Sequence, residues 1–189
     1  MSVGQVYFVL LLKIDKLKAM IKKEVLDALN EQINAEAYSA YMYLSMAAYY
    51  ENMGLSGFAN WMKVQYQEES AHALKFFNYV TERGGKVALK AIAQVPVDFD
   101  GIVDIFEKTL VHEIHVSALI NNLMNVAIAA SDHATQSFLK WFVDEQVEEE
   151  ANVEKILSTL KLINGQGNGI FMMDRELGQR VFVDPNTVA

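Results

Sequence analysis

Apolar residues recur along most of the chain at alternating gaps of three and four, the spacing that places side chains on one face of an α-helix. The first such stripe runs from about Lys22 to Asn52 through Leu26, Leu29, Ile33, Glu36, Ala40, Tyr43, Ala47 and Tyr50, and Gly54 supplies its stop. A second, from about Gly57 to Glu82, carries Met62, Gln65, Glu69, His72, Phe76 and Tyr79, with Ser56 as its expected N-cap and Gly84-Gly85 at its end. The gap between the two is short, which predicts antiparallel neighbours. Residues 84–100 then lose the period and hold two glycines and Pro96. A segment of that length can run along a whole helix, so it is predicted to be a crossover that brings in the next helix parallel to the last. The third helix, about Gly101 to Ala130, has Asp98 or Asp100 as its expected cap and a seam of Val103, Phe106, Leu110, Glu113, Ser117, Ile120, Met124 and Ala127. After the turn Ser131-Asp132-His133, with Asp132 as N-cap, the fourth runs from about His133 to Ile163. Its seam is Leu139, Phe142, Gln146, Glu149, Val153, Ile156, Leu160 and Ile163. A glycine- and asparagine-rich stop over 164–169 follows, and Ile170, Met173 and Leu177 mark a short fifth helix.

The pattern therefore predicts an all-α domain, a four-helix bundle with one long crossover between helices two and three. Composition agrees, with 52% hydrophobic residues and only two prolines in 189 residues. An excess of 24 acidic over 16 basic residues gives a net charge of −8, which disfavours nucleic acid and attracts cations. Cysteine is absent, which excludes disulfides, thiolate-bound zinc and a rubredoxin-type iron centre. The apolar run Val6–Leu12 is too short to span a bilayer and lacks the flanks of a signal peptide. The expected location is cytoplasmic, with no membrane contact. Residues 1–19 stand apart as an N-terminal extension whose structure the pattern leaves open, residues 20–181 form the domain, and 182–189 are a polar tail.

Each predicted seam is broken by polar side chains close to its middle: Glu36 in the first helix, Glu69 and His72 in the second, Glu113 in the third, Gln146 and Glu149 in the fourth. Antiparallel packing brings these positions to one level. Glu-x-x-His sets both side chains one turn apart on the same face. A lone seam glutamate is usually a registry residue and a lone histidine a hydrogen-bonded core residue. Here four helices supply carboxylates at one depth with no lysine or arginine on those seams, so that reading leaves several charges buried without a partner. A metal ion would pair with them. Four carboxylates, one amide and one imidazole suit iron or manganese better than a tetrahedral zinc site.

The segments Leu29–Tyr41, Gln67–His72, His112-Glu113 and Trp141–Glu150 resemble the non-haem ferritins of bacteria and archaea, over about residues 20–180. The resemblance implies a ferritin-like bundle whose Glu36, Glu69 and His72 ligate one iron. Glu113, Gln146 and Glu149 match the second site, with Glu69 as a bridge. Glu68, Glu145 and Glu148 match a third iron site, although from the residues alone they fit a solvated acidic face as well. Tyr43 matches the tyrosine beside the centre, and Trp141 a neighbouring aromatic that core packing also explains. The fourth helix carries Gln-x-x-Glu where bacterioferritins and rubrerythrins carry Glu-x-x-His, which implies weaker and exchangeable ligation of the second iron. Ser70 stands where bacterioferritins place their haem-ligating methionine, so no haem is expected. His112, His115 and His133 are expected to be surface or core histidines.

What the resemblance implies is a ferroxidase that oxidises Fe(II) with dioxygen or peroxide at a di-iron centre. It stores the ferric product as mineral inside a hollow homo-oligomer of typically 24 chains, from which an unidentified reductant releases it. Two rivals share the fold. A peroxide-consuming enzyme of the rubrerythrin type is disfavoured by the absent cysteines and second Glu-x-x-His. A DNA-protecting shell of the miniferritin type is disfavoured by the absence of a basic tail.

Overall fold

A computed structural model describes Gln5 and residues 21–185. The expectations for residues 1–19 and the end of the tail therefore lie outside the described residues, Gln5 apart. Among the described residues the chain forms five helices: α1 (Lys23–Asn52), α2 (Ser56–Glu82), α3 (Ile102–Ala129), α4 (His133–Ile163) and α5 (Gly167–Leu177). α1 packs on α2, α3 on α4, and α1 on α3, while α5 lies against α2 and touches α4. The expected four-helix bundle with a short fifth helix is what the chain adopts.

The crossover follows α1 along its length. Asn30 holds its start, accepting from the Ala88 amide at 2.8 Å and donating to the Lys86 carbonyl at 3.2 Å. Further on, the Ser45 hydroxyl donates to the Pro96 carbonyl, Tyr49 to that of Phe99 and Tyr50 to that of Ile102. Polar α1 side chains thus satisfy the backbone of a segment with no ladder of its own. The crossover's own Val95 and Phe99 are buried.

Two helix starts differ from expectation. Ser56 does not cap α2; the Asp174 carboxylate of α5 accepts from the Gly57 and Phe58 amides at 2.8 and 3.0 Å. A tertiary neighbour does the work a local cap would otherwise do. Nor do Asp98 and Asp100 cap α3, which starts at Gly101 with φ 102° and no side-chain cap. The link is reversed, with Asp104 of the first turn accepting from the Asp100 amide at 2.9 Å. Asp132 caps α4 as expected, accepting from the Thr135 amide at 3.1 Å, and also takes a two-pronged contact from Arg83 at the end of α2.

The apolar core is split in two. One cluster, with Tyr43, Met46, Phe58, Met62, Phe106 and Val153, fills one end of the bundle, and another, with Leu29, Ile33, Phe76, Val116, Ile120 and Phe142, fills the other. On every helix of the bundle the polar seam residues fall between them. Glu36 lies between Ile33 and Tyr43, Glu69 and His72 between Met62 and Phe76, Glu113 between Phe106 and Val116, Gln146 and Glu149 between Phe142 and Val153.

Candidate metal centre

Between the two clusters, all six predicted ligands are buried. Glu36, Glu69 and His72 are each 1% exposed, Glu113 is fully enclosed, and Glu149 and Gln146 are at 3% and 6%. Gln65 and Tyr43 share the layer, both fully enclosed. Isolated charges in such a place are costly.

The layer has two halves. In the first, Glu36, Glu69 and His72 each offer one ligand atom, and these atoms lie within 4.8 Å of one another. Glu36 Oε2, Glu69 Oε2 and His72 Nε2 are buried without a hydrogen-bond partner. Buried polar atoms are seldom left so, and with one ligand atom from each of the three residues gathered this closely the place suits a cation. Around them the side chains are held: Gln32, one turn before Glu36, donates to its Oε1 at 2.8 Å, and Trp141 meets the His72 ring edge to face at 5.4 Å. Lys75 lies over the same Trp141 ring, its ammonium 3.3 Å from the centroid.

In the second half the same residue types are paired with each other. Glu113 accepts from the Tyr43 hydroxyl on one oxygen and from the Gln146 amide at 3.2 Å on the other. Glu149 accepts from the Gln65 amide at 2.9 Å. Gln146 also reaches Ser117 at 3.3 Å, and Ser117 donates to Glu150.

Burial dominates the electrostatics. It holds the Glu36 and Glu69 carboxyls well above the usual range, with the neighbouring carboxylates Glu69 and Glu113 respectively adding to the effect. Glu113 is pushed up by burial to about 7, against the pull of its Tyr43 and Gln146 hydrogen bonds, and Glu149 is raised by burial and by Glu113. Burial likewise raises the Tyr43 phenol well above its ordinary value, so it stays a proton donor. Without metal these groups would share protons; a divalent ion can replace them.

The residues predicted for a third site are more dispersed. Glu68 and Glu145 are half-buried and Glu148 is exposed. Arg180, beyond α5, donates to Glu68 at 2.7 Å and to Gln65 Oε1 at 2.5 Å. No sequence signal pointed to Arg180, which belongs to no helical seam. Gln65 and Gln32 did carry one, since each sits four residues before a predicted ligand on the same face. Ser70 is exposed at the surface of α2 and bonds its own helix at the Tyr66 carbonyl. His115 and His133 are exposed. His112 packs against Ser39, 2.7 Å from its hydroxyl, and burial lowers its imidazole to about 4, so none of the three joins the ligand cluster.

The family model for a ferritin-like domain matches residues 26–163. The chain belongs to the ferritin family. It is 45% identical over 161 residues to a bacterial non-heme ferritin of Bacteroides fragilis, covering 85% of this chain and all of the relative. A Staphylococcus aureus protein of the same description is 39% identical over 163 residues, with 86% and 98% covered. Among solved structures, an open pore ferritin of the hyperthermophilic archaeon Archaeoglobus fulgidus superimposes with a TM-score of 0.85 at 47% identity, over 86% of this chain and 99% of that one. A single long crossover is the plan of many ferritin-like bundles, and it is the plan here. In this ferritin, Glu-x-x-His occurs in α2 and its counterpart in α4 is Gln146-x-x-Glu149.

Proposed function

We propose that this protein is an iron-storage ferroxidase, binding two ferrous ions in the polar layer and oxidising them there. The reading is carried by Glu36, Glu69 and His72, which from two helices bring one ligand atom each within 4.8 Å of one another and leave Glu36 Oε2, Glu69 Oε2 and His72 Nε2 without a hydrogen-bond partner in an otherwise sealed core. One ion sits among these three. The other is held by Glu113, Gln146 and Glu149, with Glu69 between the two as a shared ligand. Two metals a few ångströms apart can deliver electrons as a pair.

Each ferrous ion gives up one electron. Dioxygen accepts both with two protons and leaves as hydrogen peroxide, or peroxide accepts both with two protons and becomes two waters. The carboxyls supply fixed negative charge that favours the ferric product, and their raised affinity for protons lets them hand protons on as metal binds. Tyr43, hydrogen-bonded to Glu113, is placed to give a proton or an electron to the second half. Gln146 is a neutral ligand, so the second ion is held more loosely and its product can leave.

The ferric product collects inside a hollow homo-oligomer, of 24 chains in this reading, and an external reductant returns it to the ferrous state. Exposed apolar residues on and after α5, among them Phe171, Met172 and Val181, support contact between copies. The acidic balance supports iron rather than nucleic acid as partner. No helix among the described residues is long and apolar enough to cross a membrane, which fits the cytoplasmic reading.

The test is the rate of ferrous oxidation at two irons per chain. The parent should show a fast phase that Glu69→Ala lacks; equal slow rates would sink the ferroxidase reading. Light scattering after size exclusion tests storage separately. A chain that stays monomeric or dimeric at every salt concentration has no closed shell to hold mineral.

A further inference from the structure

The chain has two tryptophans, and each has a cation against its ring. The Lys75 ammonium stands 3.3 Å from the Trp141 centroid and 5.7 Å from that of Phe142, and the Arg180 guanidinium stands 4.7 Å from the Trp61 centroid. Lys75 follows His72 by three residues in α2, which sets both side chains on the same face. Trp141 of α4 meets them both, the imidazole edge to face at 5.4 Å and the ammonium over its ring.

Tyr43, the phenol of the same polar layer, has the opposite surroundings. Its hydroxyl donates to the Glu113 carboxylate, and among the described residues no lysine or arginine lies over its ring. A cation is attracted to the electron-rich face of a neutral indole and repelled by an indole that has lost an electron. Lys75 and Trp141 are both half-buried and in contact, so solvent screens that repulsion incompletely.

The difference matters when the centre is half filled. Hydrogen peroxide takes two electrons, and a single ferrous ion gives one. The other has to come from a nearby ring: one Fe(II), one ring, one peroxide and two protons become one Fe(III), a ring short of one electron and two waters. An indole in that state loses its N–H proton and adds dioxygen. The indole damaged in this way would be the one seated against His72.

We propose that Lys75 decides which ring of the ferroxidase centre gives up an electron: its ammonium on Trp141 makes the indole the poorer donor, so the demand falls on Tyr43 and the support of His72 is spared. This rests on the ferroxidase reading above. Lys75 acts through Trp141 and is a positioning residue for charge, not a ligand. Arg180 does the same for Trp61, two turns before Glu69 in α2, so neither indole is left as the easier path.

The experiment loads the full-length protein with one ferrous ion per chain, adds hydrogen peroxide in aerated buffer, and compares the parent with Lys75→Met and Lys75→Arg. Freeze-quenched electron paramagnetic resonance reads the radical, and peptide mass spectrometry after several cycles reads oxygenated tryptophan. The parent and Lys75→Arg should give a tyrosyl radical. Lys75→Met should give a tryptophanyl radical and roughly fivefold more oxygenated Trp141, the effect of losing one cation–π contact. Oxygenated Trp61, still under Arg180, should be the same in all three, and adding Trp141→Phe to Lys75→Met should abolish the tryptophanyl signal. Should Lys75→Met fail to fold, Lys75→Gln removes the same charge and should behave alike. Trp141 oxygenated equally in the parent and the uncharged variant overturns the shielding, as does an equal rise in Lys75→Arg, which would mark lost packing and not lost charge. A parent with no fast ferrous oxidation at two irons per chain overturns the ferroxidase reading and this inference with it.

Discussion

The two halves of the polar layer are built from nearly the same side chains and prepared for metal in opposite ways. Around Glu36, Glu69 and His72, donor atoms are buried with nothing to bind, whereas Glu113 and Glu149 are hydrogen-bonded by Tyr43, Gln146 and Gln65. The first half carries its cost in the metal-free protein and relieves it on binding. The second has to give up hydrogen bonds in exchange for each metal bond. The difference implies an order of filling, with the ion beside His72 first and tightest, and a second ion that comes and goes. Under the proposed function, that order would let the centre pass its product on.

The largest effect should come from His72→Ala. It removes the imidazole from the open half and should weaken the first metal on the order of 100-fold, read by calorimetric titration with cobalt(II), while the Glu149 half keeps its affinity. Comparable losses at both halves would mean that the layer binds as one unit.

Next is Glu36→Gln in the metal-free protein. A carboxyl whose folded pKa lies above its unfolded one contributes stability that is full below the unfolded value, near 4.5, and is lost as pH rises through the folded value. Glu36 is raised well above that range and Glu113 to about 7, so the metal-free parent should melt at a lower temperature at pH 8 than at pH 5. Removing the charge at Glu36 should recover about 2 kcal/mol at pH 8, and Glu149→Gln less, because Gln65 already satisfies that carboxylate. Calorimetric melts across this pH window decide it; a parent more stable at pH 8 contradicts the assignment.

Gln65→Leu should act on the other half. It strands Glu149 and loosens Arg180, so the second metal should weaken roughly tenfold with the first unchanged. The smallest effect is expected from Tyr43→Phe. It removes one hydrogen bond to Glu113 and should lower metal-free stability by about 1 kcal/mol, seen as a shift of the denaturation midpoint.

Helical periodicity carried most of the fold, because each bundle helix buries one stripe and that stripe repeats for many turns. The polar layer was legible for the same reason, since a charged residue on an apolar seam stands out against its neighbours. Two caps were misread because their partners come from elsewhere in the chain or run the other way: Asp174 on Gly57, and Asp104 on Asp100. Gln65 stood on the predicted stripe, yet an amide there does not reveal which carboxylate it braces. Arg180 was illegible in principle, since its place depends on how α5 docks along α2 and a local pattern holds no record of that.

The central claim is that the open half fills first, and crystals soaked with one equivalent of cobalt(II) per chain test it most directly. A single strong anomalous peak is expected among Glu36, Glu69 and His72, with little density between Glu113 and Glu149. Equal peaks in both halves, or a stronger one beside Glu149, would contradict it.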